Sequence, residues 1–275
     1  MSTKARNHAA ILTASMDRSI VPDSAVRYIS LQRYLLHDDK KIGGMSVRAS
    51  RTFGLVAGLG VGAGIFYYKS LVDAHLQRGL SPSLLMVHAD VRKVMRLAQE
   101  RKAQELAEYL TGLLQRLADG GAELATIPAF SPQICAAELA ELTPLPLVNL
   151  LDVIASETAR RKLHRVAVFG ARVTMETGLF GRLPDCDVIG LSHEETNLVS
   201  DIYLRVIAEA KASAEEYEQL RSLAHRIIER ENLDAIVLAG TDLAFVFNEQ
   251  NTDFPHLDGA RVHIKAIMDE LAPAD

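Results

Sequence analysis

The sequence has no tryptophan and only two cysteines, Cys135 and Cys186, among its 275 residues. Disulfide scaffolds need several paired cysteines, so packing alone must hold this fold, and both thiols read as reduced, small buried side chains. A basic stripe is also missing, since 30 Lys and Arg are outnumbered by 35 Asp and Glu and the net charge of −5 is spread along the chain. That balance excludes the electrostatic footprint of a nucleic-acid binder or of a protein held on an anionic membrane. No apolar run reaches the roughly 20 residues that cross a bilayer, and the N-terminus lacks the cationic start and apolar core of a secretory signal. The expectation is a cytoplasmic protein with neither nucleic acid nor membrane among its partners. With 48% hydrophobic and 24% charged residues, the chain can bury one large core or two modest ones.

Residues 1–50 mix charges, serines and scattered apolar residues without a sustained period, and read as an arm that is weakly structured. Met45 resembles a natural start, so the arm reads as an extension or as the product of an upstream start rather than as a functional part. From residue 53 the pattern becomes regular. An apolar strand (Phe53 to Ala57) leads into a glycine-rich turn, Gly58 to Gly64, and a helix closed by Gly79. A strand from Ser83 to His88 follows, then a long helical stretch from about Ala98 to Ala118 whose leucines recur at core spacing. The strand Ala122 to Ile127 ends in the turn "PAFSPQ", a short strand lies around Leu147 and Val148, and a helix follows.

A second run repeats this layout. Strand Arg165 to Gly170 precedes the turn "ARVTMETG", helices are expected at about 195–212 and 214–231, and the buried strand 234–239 stops at Gly240, Thr241 and Asp242. A polar loop with Asp258 leads to a last helix. Alternating strands and helices predict an α/β fold of two pseudo-symmetric lobes, each a parallel sheet flanked by helices. Residues 53–148 with 252–271 are expected to form the first lobe and 149–251 the second. In such sheets ligands bind beyond the carboxyl ends of strands, where backbone N–H groups and helix N-termini collect anions. The glycines at 58, 60, 62 and 64 alternate rather than follow G-x-G-x-x-G, and no clear ribose-binding acid follows, so carboxylate binding or close packing is preferred to a dinucleotide.

The stretches "GLVAGLGVGAG", "ATIPAFSPQ", "VAVFGARVTMETGLF" and "IVLAGTDL", in this order, resemble the aspartate/glutamate racemase superfamily over about residues 53–271. The resemblance implies two lobes with a small carboxylate or dicarboxylate, such as aspartate or glutamate, between them, and no cofactor or metal. It also implies two cysteines that exchange the α-proton, yet the matching positions here are Ala129 and Gly240, and Cys135 and Cys186 lie elsewhere. The residues matching the family's site are Gly58, Gly60, Ser131, Thr174 and Thr241 for the substrate carboxylate, and Arg92 for a second carboxylate. Asp242 is the leading proton carrier, with Thr241 and Ser131 beside it, and His88 is a weaker candidate base. Each has a plainer alternative. Asp242 would serve as an N-cap of the helix that follows it, the hydroxyls as turn residues bonded to their own backbone, Arg92 as a solvated arginine and His88 as a structural histidine. The activity expected is a cofactor-independent, racemase-like isomerase with acid/base groups other than cysteine. A carboxylate-binding protein and a lyase or decarboxylase are the alternatives, and a homodimer is left open.

Overall fold

The structure is a computed structural model that describes residues 50–271, so the arm expected over residues 1–50 lies, but for its last residue, outside the described residues. The first sheet contains β1 (Phe53–Ala57), β2 (Leu84–His88) and β3 (Leu124–Thr126) in the order β2-β1-β3, all parallel. Leu147 makes a parallel bridge with Ala125 beyond β3. The second sheet, β4 (Arg165–Gly170), β5 (Asp187–Ile189), β6 (Ala235–Ala239) and β7 (His256–Asp258), runs β5-β4-β6-β7, again all parallel. The two sheets share one winding, in which the first strand is central, the second lies to one side and the third to the other. Leu147 takes in the first sheet the place that β7 takes in the second.

Every residue of β1 and β6 is buried, as expected for central parallel strands covered on both faces. The flanking helices are α1 (Val61–Gln77), α2 (Val91–Gln99), α3 (Ala103–Asp119), α4 (Ala136–Leu142), α5 (Leu150–Arg161), α6 (Arg172–Glu176), α7 (His193–Glu209), α8 (Ala214–Glu231) and α9 (Gly259–Leu271). Helices α7 and α8 both start with a capping box, Ser192 with Glu195 and Ser213 with Glu216, in which hydroxyl and carboxylate each satisfy an orphan N–H.

The lobes exchange helices. Leu150, Leu151 and Ile154 of α5, which follows the first sheet, pack in the core of the second, with Val166, Phe169 and Leu238. Ala260, Ile264, Ile267 and Met268 of α9, which follows the second sheet, pack with Phe53, Leu55, Tyr67 and Leu71 of the first. Residues 252–271 thus serve both lobes, with β7 in the second sheet and α9 on the first.

Three local readings are corrected. The helix expected from about Ala98 to Ala118 starts later, at Ala103, as α3, and a separate helix that the sequence reading did not mark, α2, precedes it; between them Arg101 turns the chain through a left-handed φ of 54°. The glycine-rich turn ends early. Helix α1 begins at Val61, so Gly62 and Gly64 lie inside it, where a Cβ on Gly62 would come within 2.8 Å of the Phe245 ring. The helix expected after Asp242 is a 3-10 turn, Thr241–Phe245.

Candidate active site

The turn after β1 and the turn after β6 meet, and their meeting is decided by glycines. A Cβ on Gly60 would stand 2.4 Å from Oδ2 of Asp242, and one on Gly62 would stand 3.2 Å from Oδ1. Only backbone without side chains lets the carboxyl of one lobe lie against the turn of the other. There the Ala63 N–H donates to Asp242 Oδ1 at 3.1 Å. Ala63 is the third residue of α1, and Gly60, at its N-cap, has no side chain with which to accept that bond. Asp242 therefore caps a helix, but not the one that follows it, and the N-cap reading is corrected in that sense.

The Asp242 side chain is 1% exposed. Burial pushes its carboxyl up to about 7, against the opposing pull of the Ala63 and Asp242 backbone N–H groups. Among the described residues no lysine, arginine or histidine pairs with it. An aspartic acid that holds its proton near neutrality, with only amides to steady its charge, can both take and return a proton at physiological pH.

Gly240 has a second role. A Cβ there would strike the Tyr203 ring, 2.4 Å from Cε2 and 2.7 Å from Cζ, with the hydroxyl at 3.0 Å. Tyr203, on α7 and 6% exposed, thus fills the direction in which any side chain at position 240 would extend. Burial and then the charge of Asp242 hold its phenol well above the ordinary range, while the Thr241 side chain and the Asp242 backbone beside it act the other way. Tyr203 stays protonated, and its hydroxyl can accept from these neighbours as well as donate. Sequence reasoning missed it, because a tyrosine on the buried Val199, Ile202, Val206 face reads as core; the signal was a lone glycine closing a fully buried strand.

The turn after β3 is built differently. Ala129 is buried, Phe130 reaches across into the second core, and the Gln133 amide donates to Ala129 O at 3.1 Å. Ser131 opens a 3-10 turn, half-buried. Thr241 is buried, and Thr174, on α6, is fully buried with a hydroxyl that has no partner among the described residues. Gly58, at φ 89°, lies against the His88 ring, so the glycine turn also touches the end of β2. Arg92 is exposed in the first turn of α2, without an ion pair among the described residues. Cys135 is buried with its thiol donating to Pro132 O, and burial pushes it up to about 12; Cys186 is also raised, by burial and by Asp234 and Asp187.

A buried polar chain lies next to these turns. Tyr67 of α1 meets His263 Nδ1 at 3.0 Å, and His263 Nε2 lies 3.1 Å from the Thr126 hydroxyl, which donates to Val148 O at 2.8 Å. Burial drives His263 down to about 4, so the imidazole is neutral. Tyr67 is raised by burial, then by Asp258, Asp242 and Tyr203, so its phenol shares the field of the two turns. A groove of about 1060 Å³ opens elsewhere, between α5 and α9 beside Arg51 and Leu124, and none of the turn residues lines it.

The model of the Asp/Glu/Hydantoin racemase family matches residues 56–267. The chain belongs to that family. Among solved structures, a putative Asp/Glu racemase from Yersinia pestis is similar with a TM-score of 0.70 at 21% identity, covering 80% of this chain and 99% of its own. An aspartate racemase homologue from Pyrococcus horikoshii is similar with a TM-score of 0.66 at 19% identity and the same coverage. A glutamate racemase from Francisella tularensis, solved with D-glutamate, reaches 0.55 at 13% identity, over 82% of this chain and 84% of its own. At such identities these likenesses show the fold, α/β with two parallel sheets. No curated protein sequence matches the chain. Family membership makes a small-molecule carboxylate the expected class of substrate.

Proposed function

We propose that this racemase-family protein is a cofactor-independent isomerase that moves the α-proton of a small carboxylate or dicarboxylate, such as aspartate or glutamate, without a thiol. The reading rests on Asp242, a buried carboxyl near pKa 7 where the turns of the two lobes meet. Asp242 takes the proton from carbon, and the Tyr203 phenol beside it donates a hydrogen bond to the charge that develops. A solvent water gives a proton back to the opposite face of the carbon while Asp242 releases its own to solvent. The Gly58 and Gly60 turn with the hydroxyls of Ser131, Thr174 and Thr241 holds the ligand carboxylate, and Arg92 grips a second one where the ligand has it. The unpartnered Thr174 hydroxyl supports this assignment, since a buried hydroxyl without an acceptor costs free energy that a ligand oxygen restores. The protein would act in the cytoplasm.

Ala129 offers no proton carrier on the first turn, and this favours a second reading, a one-faced lyase or a binder that no longer turns over. Incubating aspartate, glutamate and their deamino analogues in deuterium oxide separates the three. Exchange at the α-carbon that is lost in Asp242→Asn supports the isomerase, carbon dioxide release supports the lyase, and binding with no exchange removes Asp242 from any mechanism.

A further inference from the structure

The carboxylate most evidently bound at the glycine turn is the protein's own. Gly60 and Gly62 leave a berth over the first turn of α1 that a single Cβ on Gly60 would fill, at 2.4 Å from Asp242 Oδ2. The Asp242 carboxyl lies in it and takes the Ala63 N–H, one of the helix N-terminal donors that attract anions. It is held there by amides alone. No cation is among the groups that set its ionisation, and burial works against its charge.

No counter-ion ties the carboxylate into this berth, and its burial opposes its charge, so what holds it is one amide N–H and the space left by two glycines. We propose that the Gly60–Ala63 berth is a carboxylate subsite held closed by Asp242, and that a ligand carboxylate opens it by taking the Ala63 N–H and displacing the Asp242 side chain toward the ligand. The contact is autoinhibitory, so the empty protein keeps its own acid out of solvent until a carboxylate arrives. This rests on the reading of the two turns as a carboxylate site.

The test compares binding of malonate and L-aspartate, by calorimetry, to the wild-type chain, Asp242→Asn and Asp242→Ala. Asparagine keeps an oxygen that can occupy the berth and accept from Ala63, but carries no charge; alanine empties the berth. Displacement predicts that Asp242→Ala binds about tenfold or more tightly than Asp242→Asn, the worth of one freed donor to a charged group, with Asp242→Asn within a few fold of wild type. Equal affinity of the two variants, or weaker binding by Asp242→Ala, means that only charge mattered and overturns the inference while leaving the carboxylate site intact. Binding of neither probe to any of the three proteins removes the site itself. If Asp242→Ala does not fold, Asp242→Ser, whose hydroxyl is too short to replace the carboxyl in the berth, takes its place with the same outcomes.

Discussion

Asp242→Asn changes the pH dependence of stability in a direction set by the burial of the acid. In the unfolded chain an aspartate titrates near 3.8, whereas in the fold burial pushes Asp242 up to about 7. Between those values the native state keeps a proton that the unfolded state has lost. Stability therefore falls as pH rises through that window. Three units at about 1.4 kcal/mol each amount to a cost of about 4 kcal/mol above pH 7, for ionising a carboxyl that has no cation beside it. Asparagine keeps the shape and the oxygen that accepts from Ala63, but cannot ionise.

The stability of Asp242→Asn relative to wild type should therefore grow by about 4 kcal/mol from about pH 4 to pH 8 and level off beyond, roughly 2–4 °C in Tm for each kcal/mol. The difference between the two proteins is the useful quantity. His263, neutral in the fold with its pKa driven down to about 4, gives stability that is full above about pH 6.5 and lost as pH falls toward 4. That slope opposes the Asp242 slope in the same window, and subtracting the two curves removes His263 and every other group the two proteins share. Urea unfolding of both proteins at a series of pH values measures the gap. A gap that is constant with pH, or that narrows as pH rises, refutes the assignment of Asp242 as a buried acid.

Gly240→Ala should destabilise by about 3 kcal/mol or more, because its Cβ has to displace a Tyr203 ring that is locked in the core. Combining it with Tyr203→Ala should cost at least about 1 kcal/mol less than the sum of the two single changes, and strict additivity in chemical unfolding would show that the ring does not occupy that space. Thr174→Val should leave the melting temperature unchanged or slightly raised, since its hydroxyl has no partner among the described residues, yet weaken malonate binding by about five- to a hundredfold. Unchanged affinity removes Thr174 from the site.

The two-sheet fold was legible because its evidence is local. Runs such as Ala235 to Ala239 without polar alternation mark strands buried on both faces, and α3 shows its buried face in Leu106, Leu110, Leu113, Leu114 and Leu117. The errors come where a distant neighbour overrides local preference. Gly62 and Gly64 read as loop, yet they lie inside α1, and they are glycine because Phe245, Ala210 and Ala57 leave no room for larger side chains. Arg101 separates α2 from α3 with no glycine or proline signal, and the three residues of β7 are too few to show a period. In the site, Asp242, Thr241 and Gly240 were found from the strand that ends before them. Their partners, Ala63 and Tyr203, are 179 and 37 positions away, and no spacing rule connects them.

Ala129 and Gly240 in the two turns do not by themselves describe an idle site. A pocket kept only for the fold is free to become apolar, and replacing buried polar groups by well-packed hydrophobic ones is often neutral or stabilising. Where the two turns meet the reverse is found, with Asp242, Tyr203, Tyr67, His263 and Thr126 all buried and several of them within one another's field. Each is satisfied by named partners or raised or lowered by its surroundings, and the carboxyl among them is left without a cation. Gly240 and the Tyr203 phenol are fitted to each other, since the ring lies where a Cβ at position 240 would stand. Groups this costly to bury, fitted to one another across two lobes, are better explained by work on a ligand than by packing. The carboxyl near pKa 7, rather than either cysteine, is where that work is to be sought.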